Sequence, residues 1–247
     1  KYSKFPELSI FLFITYGMYI FAFSTIRQSV AMGICILAAI QLKEKHLIRF
    51  IILVILASLF HRTAIIFIVA VFYVFVPINR KSIMTMFVVA IAAFVFKSQI
   101  LTFMQQFARN NSPETETGGM FQYMFILGII LLGITYRKNF FRECSAQSYE
   151  LSSGNDNQIE FERFLFWSQC FVFIIFPILR VTPTYFRLYY YSYLYMIVYV
   201  PNLLKSIHNV STRRIIEFVM FVLGFYLYYK QIVQTTNPLV PYMFFWQ

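Results

Sequence analysis

Acidic side chains are scarce in this chain: ten Asp and Glu stand in 247 residues, against 21 Lys and Arg. Charged residues make up only 13%, about half the share of an ordinary soluble domain. The carboxylates form no DxD pair, which removes a common means of holding a divalent metal for a nucleotide sugar. Glycine is equally thin, and none of it falls in a GxxxxGK[ST] or GxGxxG arrangement, so no phosphate-cradling loop is present. HExxH and GxSxG are missing too, which excludes a zinc-peptidase helix and a nucleophile elbow. The three cysteines, Cys35, Cys144 and Cys170, lack CxxC or Cys/His metal spacing and read as packing residues. Any chemistry is expected to need no cofactor and no metal, and to use a substrate that arrives already activated.

What the chain does have is apolar: 60% hydrophobic and 21% aromatic residues, with a mean hydropathy of +0.66. The apolar runs are long and continuous rather than alternating, which favours membrane helices over an outer-membrane barrel. The fold class expected is all-α, a polytopic integral membrane helical bundle in which residues 1–247 form one transmembrane domain. Apolar windows predict about nine spans, at 8–26, 28–42, 47–60, 63–77, 82–97, 120–136, 164–180, 186–204 and 214–231. Two longer connections remain, 98–119 with its "ARNNSPETETGG" and the polar 137–163. The chain opens on Lys1 rather than Met, so further N-terminal spans are expected to precede it.

The basic excess reports topology, not nucleic acid, because no basic stripe runs along a soluble segment. Alternate connections carry Lys1 and Lys4; Lys43, Lys45 and Arg49; Arg80 and Lys81; Arg137, Lys138, Arg142 and Arg163; Lys205, Arg213 and Arg214, which is 14 of the 21 Lys and Arg. The positive-inside rule puts these in the cytoplasm. Residues 137–163 are then cytoplasmic and 98–119 extracytoplasmic. Arg27, Arg62, Lys97, Arg109, Arg180, Arg187 and Lys230 fall on the other side, five of them directly at span ends. A cation placed there against the rule implies an anion to meet it.

Three stretches carry the candidates. "STIRQSVAMGI" sets Arg27-Gln28 at the hinge of the first two spans, beside small residues suited to close helix packing. A guanidinium has five donors in a fixed fork and grips phosphate; a lipid-headgroup anchor is the plainer reading. "LRVTPTYFRLYYYSYLY" brackets a Thr-Pro-Thr turn with Arg180 and Arg187 and continues into Tyr185, Tyr189, Tyr190, Tyr191, Tyr193 and Tyr195. Arginines beside aromatic rings suit a phosphorylated glycan, while tyrosines also form the aromatic belt of any membrane protein, the reading preferred for most of them. "LFHRTAII" puts His61 at a span end, as a general base or as a cap. Glu114 and Glu116 read as solvated loop charges, with bases on a lid as the alternative.

These stretches resemble the EpsG/Wzy-type polysaccharide polymerases of bacterial capsule, exopolysaccharide and O-antigen synthesis. The likeness rests on Arg27-Gln28 followed by small residues, and on Phe60-His61 followed by Thr63-Ala64. The aromatic "PTYFRLYYYSYLYMIVYVP" and closing "YYKQIVQTTNPLVPYMFFW" look like the same family. Arg62 after the histidine is less typical of it.

The resemblance implies a fold similar to the multispan, GT-C-like lipid-linked-sugar glycosyltransferases. It implies a metal-independent glycosyltransferase at the outer face of the bacterial cytoplasmic membrane, joining repeat units carried on undecaprenyl diphosphate. His61 and Arg27 would be catalytic, and Arg27, Arg180 and Arg187 would bind the diphosphate. Gln28, Tyr185 and Tyr189 would face the sugar. Partners would be the undecaprenyl-diphosphate-linked glycan, membrane lipid, and the flippase and chain-length regulator of the pathway, with no nucleic acid. Competing readings are a flippase for the same glycan, a membrane O-acyltransferase, and an assembly protein without chemistry.

Overall fold

A hydrocarbon solvent leaves backbone amides nothing to bond but each other, so apolar runs of this composition close into helices. The computed structural model describes residues 2–108, 120–149, 155–179 and 187–233, and these contain helices and no strands. In order they are α1 (Pro6–Thr15), α2 (Met18–Ser24), α3 (Ile26–Lys43), α4 (Leu47–Phe60), a 3-10 stretch (Arg62–Val69) running into α5 (Ala70–Phe75), α6 (Arg80–Val95), α7 (Lys97–Ala108), α8 (Met120–Tyr149) and α9 (Asn155–Leu179). A 3-10 turn (Arg187–Tyr189), α10 (Tyr190–Tyr193), α11 (Met196–Lys205) and α12 (Val210–Val233) complete the fold.

Every window expected to span is mainly helical in its described residues, yet the count of nine is not reproduced. Among the described residues four helices are long and apolar enough to cross a membrane: α3, α8, α9 and α12. They become six if the bent pairs α1/α2 and α6/α7 each count as one. The first pair turns by 56° at Gly17, whose φ of 87° is cheap only for glycine; the second turns by 71°. Windows 47–60 and 63–77 became α4 and the 3-10/α5 segment, an antiparallel hairpin folded back on α3. The 14 residues of α4 reach about 21 Å, short of a hydrocarbon core about 30 Å thick. Window 186–204 became three short pieces. Irregular backbone is tolerated there because protein surrounds it: nearly every residue from Tyr189 to Leu204 is buried.

That burial corrects the belt reading of the tyrosines. Tyr189, Tyr193 and Tyr199 are fully enclosed, and Tyr190, Tyr191 and Tyr195 nearly so. Their rings interlock with Phe176, Phe164 and Phe67 and with Phe21, which stacks on Tyr190 at 3.8 Å. This segment and α9 form the spine around which the other helices wrap. Of the apolar window in α9, 78% of residues are buried, against 11% in α12. Polar groups inside the spine bond one another: Tyr73 Oη shares a hydrogen with Ser192 Oγ at 3.1 Å, and Gln169 Nε2 donates to Ser192 O at 3.3 Å.

The two polar connections also differ from expectation. Helix continues through 137–149 and 155–163, and through 98–108, while 109–119 and 150–154 lie outside the described residues, Glu114 and Glu116 among them. Hydropathy reports where hydrocarbon ends; the helix continues as long as its own hydrogen bonds do. Gly33, expected to serve close packing, faces open space; Ala31, Cys35, Ala38 and Ala39 make the buried face of α3 instead.

The basic connections gather at one end of the bundle. Lys43 lies over the rings of Tyr2 and Phe161, Lys45 meets Glu160 at 3.2 Å, and Lys205 lies over Phe5. Arg163 Nη1 and Trp167 Nε1, both from α9, donate to the carbonyls of Val74 and Val76 at 2.9 and 2.8 Å, which satisfies the C-terminal end of α5. Asn202 ties the N-terminal segment to α9 by accepting from Lys4 N and donating to Glu162 Oε1.

One close approach gives a test of the packing. A Cβ on Gly133 of α8 would collide with the Tyr199 hydroxyl, and the Tyr199 ring is fully buried. Gly133→Ala is expected to destabilise the bundle by about 1–3 kcal/mol through overpacking, read as a lower melting temperature in detergent. Adding Tyr199→Phe should recover part of the loss.

Candidate functional site

Counting from the turn that joins α3 to α4 shows which residues can meet. At about 1.5 Å per residue, Arg27 lies about 24 Å up α3 and His61 about 21 Å up its antiparallel neighbour. Both therefore sit at the end of the bundle opposite the basic cluster, within one helical turn in height. The spine begins at the same level with Arg187.

Three of the candidates come together there. Gln28, only 1% exposed, donates from Nε2 to the carbonyl oxygen of Arg187 at 2.8 Å. This bond pins the start of the spine to α3 across 159 residues of sequence. Gln28 Oε1 has no hydrogen-bond partner among the described residues. His61, half-buried, caps α4 in extended conformation: its N–H donates to Ala57 O at 3.0 Å and its carbonyl accepts from Ala64 N at 2.9 Å. The backbone fixes this residue, so the imidazole is left for other work. Thr63, two residues on, shares a 3.2 Å hydrogen bond with Tyr191 of the spine and holds the His61 turn against it.

Burial first, and then the nearby Arg187 cation, push the His61 pKa below its usual 6.5. The imidazole is therefore neutral at physiological pH and able to accept a proton. Arg187 itself is exposed, as are Arg27 and Arg62. Three guanidiniums thus belong to this end of the bundle, and Arg187 is the one whose charge acts on His61.

Other expected members are placed differently. Tyr189 points into the core, fully enclosed, its hydroxyl accepting from Gln122 Nε2 at 2.9 Å. The sugar-facing role expected for it does not fit that position, because ring and hydroxyl are both occupied. Arg180 and Tyr185 lie outside the described residues. Sequence reasoning missed Thr63, Tyr191 and Gln122 as supports of the site. Thr63 stands within the stretch that carried the resemblance, but nothing in its spacing announced a partner 128 residues away. Among the described residues no group of three or more His, Cys, Asp or Glu side chains is placed to hold a metal ion.

A family model described as the EpsG family matches residues 1–244, essentially the whole chain. The chain belongs to the EpsG family. No curated protein matches it, and no solved structure does. EpsG membership and the apolar helices together support a membrane protein of polysaccharide biosynthesis, with a polymerase role.

For an EpsG chain working through a neutral His61, the pH dependence has a definite sign. Protonation disables the base, so kcat/KM should fall on the acid side, with a midpoint below 6.5 because burial and Arg187 both lower the imidazole's pKa. A titration of reconstituted activity between about pH 5 and 8 checks this. A midpoint above 6.5 would be the wrong sign.

Proposed function

We propose that this chain is a repeat-unit polymerase: it transfers a growing glycan from undecaprenyl diphosphate to a sugar hydroxyl of an incoming lipid-linked unit. The reaction lies at the outer face of the bacterial cytoplasmic membrane, by the positive-inside reading of the opposite, basic end. The observation that carries the proposal is the placement of His61 at the same end of the bundle as Arg187, whose carbonyl Gln28 ties to the Arg27-bearing helix.

The chemistry follows from the substrate. The bond between the anomeric carbon and the diphosphate breaks, and its electron pair leaves on the diphosphate. A new bond forms from the acceptor oxygen to that carbon, and His61 takes the acceptor's proton. Arg27 and Arg187, joined by Arg180, neutralise the charge that develops on the leaving group, which calls for neither ATP nor metal. Gln28, expected to face the sugar, is 1% exposed with its Oε1 enclosed, so its part is to hold the Arg187 backbone in place. Tyr185 remains a candidate for stacking on the sugar.

The test is made in cells. Arg27, His61, Arg180 and Arg187 are replaced singly by Ala, membrane levels are checked, and surface glycan is run on a gel. Single repeat units without a ladder support the polymerase. A normal ladder in all four variants removes the site, and disappearance of even the single unit transfers the proposal to a flippase.

A further inference from the structure

We propose a second lipid site, at the basic end of the bundle and remote from His61: a groove between α5, α6 and α9 that holds one acyl chain of an anionic glycerophospholipid, with its phosphate on Arg80 and Lys81. The groove has a volume of about 360 Å³. Met86, Trp167 and Cys170 form its buried floor, while Phe72 and Val89 are exposed on its rim, so it opens sideways to lipid. The polar side chains that line it include Lys81, Ser82 and Thr85, all on α6 and all toward the basic end.

Length and charge select the occupant. From Lys81 to Val89 the groove follows α6 for about 12 Å, close to the roughly 15 Å half-thickness of the hydrocarbon core. That is the depth of one leaflet. Lys81 stands at the mouth and Arg80 beside it, both exposed, and neither forms an ion pair among the described residues. Two acidic groups at this end are engaged elsewhere, Glu160 with Lys45 at 3.2 Å and Glu217 with Arg213 at 3.7 Å. Two cations without an ion pair among the described residues, above an apolar channel about one leaflet deep, match a negatively charged headgroup with an acyl chain hanging beneath it. A zwitterionic lipid would fill the channel but leave the net charge unanswered.

The test uses the full-length protein in phosphatidylcholine vesicles containing a trace of phosphatidylglycerol with a photoreactive group on its acyl chain. Labelling is expected to concentrate on groove residues such as Phe72, Val89 and Ile174, above the level on Phe218 and Phe225 of α12. Each cation removed in R80Q and K81Q should lower groove labelling about fivefold. Thr85→Trp, which fills the channel and leaves both cations, should abolish it. Equal labelling by photoreactive phosphatidylcholine, even labelling of α12, or no change in R80Q/K81Q would overturn the proposal. So would displacement of the label by the polyprenyl-diphosphate-linked glycan, since the groove would then belong to the substrate.

Discussion

His61→Ala is expected to collapse the glycan ladder to single repeats, with the transfer rate lowered by about 10²–10⁴. The protein should still reach the membrane at normal levels. That separation follows from the geometry, because the cap of α4 and the start of the 3-10 stretch are made by the backbone of residue 61, through Ala57 and Ala64. Alanine preserves both bonds. Gel analysis of surface glycan, with membrane protein measured in parallel, reads the two quantities independently. Loss of protein together with loss of polymer would make the imidazole a structural group rather than a base.

Arg187→Ala should be the second large effect, through two routes that one experiment can distinguish. Loss of a cation at the leaving diphosphate is expected to reduce the rate by about 10²–10³. The same change removes one of the two causes that hold the His61 pKa down, so the acid limb of the residual activity should move up toward 6.5. Arg187→Lys keeps a charge but loses the planar fork, and should restore the pH profile better than the rate. A rate loss with an unmoved acid limb would mean that Arg187 and His61 do not act on one another.

The helical character of the bundle was legible because apolar runs of this length have few alternatives in a membrane. The candidate site was legible in part: Arg27-Gln28 and Phe60-His61 stood out as polar groups at the edges of apolar runs. What hydropathy could not show was which apolar faces are buried. Windows in α9 and α12 have mean hydropathies of 1.5 and 1.4, yet one is the core and the other is mostly exposed. In a soluble protein the contrast between water and core writes burial into the sequence; lipid and core are equally apolar, and the contrast vanishes. The tyrosines were misread for the same reason, since a ring with a hydroxyl suits an interface belt as well as the enclosed Gln122–Tyr189 pair. The count of nine spans is not reproduced among the described residues, because apolar stretches such as 47–60 satisfy a hydropathy window without the length to reach across a bilayer.

The most direct measurement is a count of products. Full-length protein is reconstituted in vesicles with purified polyprenyl-diphosphate-linked repeat units and excess chelator, and both glycan length and free polyprenyl diphosphate are quantified. The account predicts one polyprenyl diphosphate released for each glycosidic bond formed, undiminished by the chelator and lost in His61→Ala. Units that cross the vesicle membrane without being joined, or joining that stops when metal is removed, would contradict it.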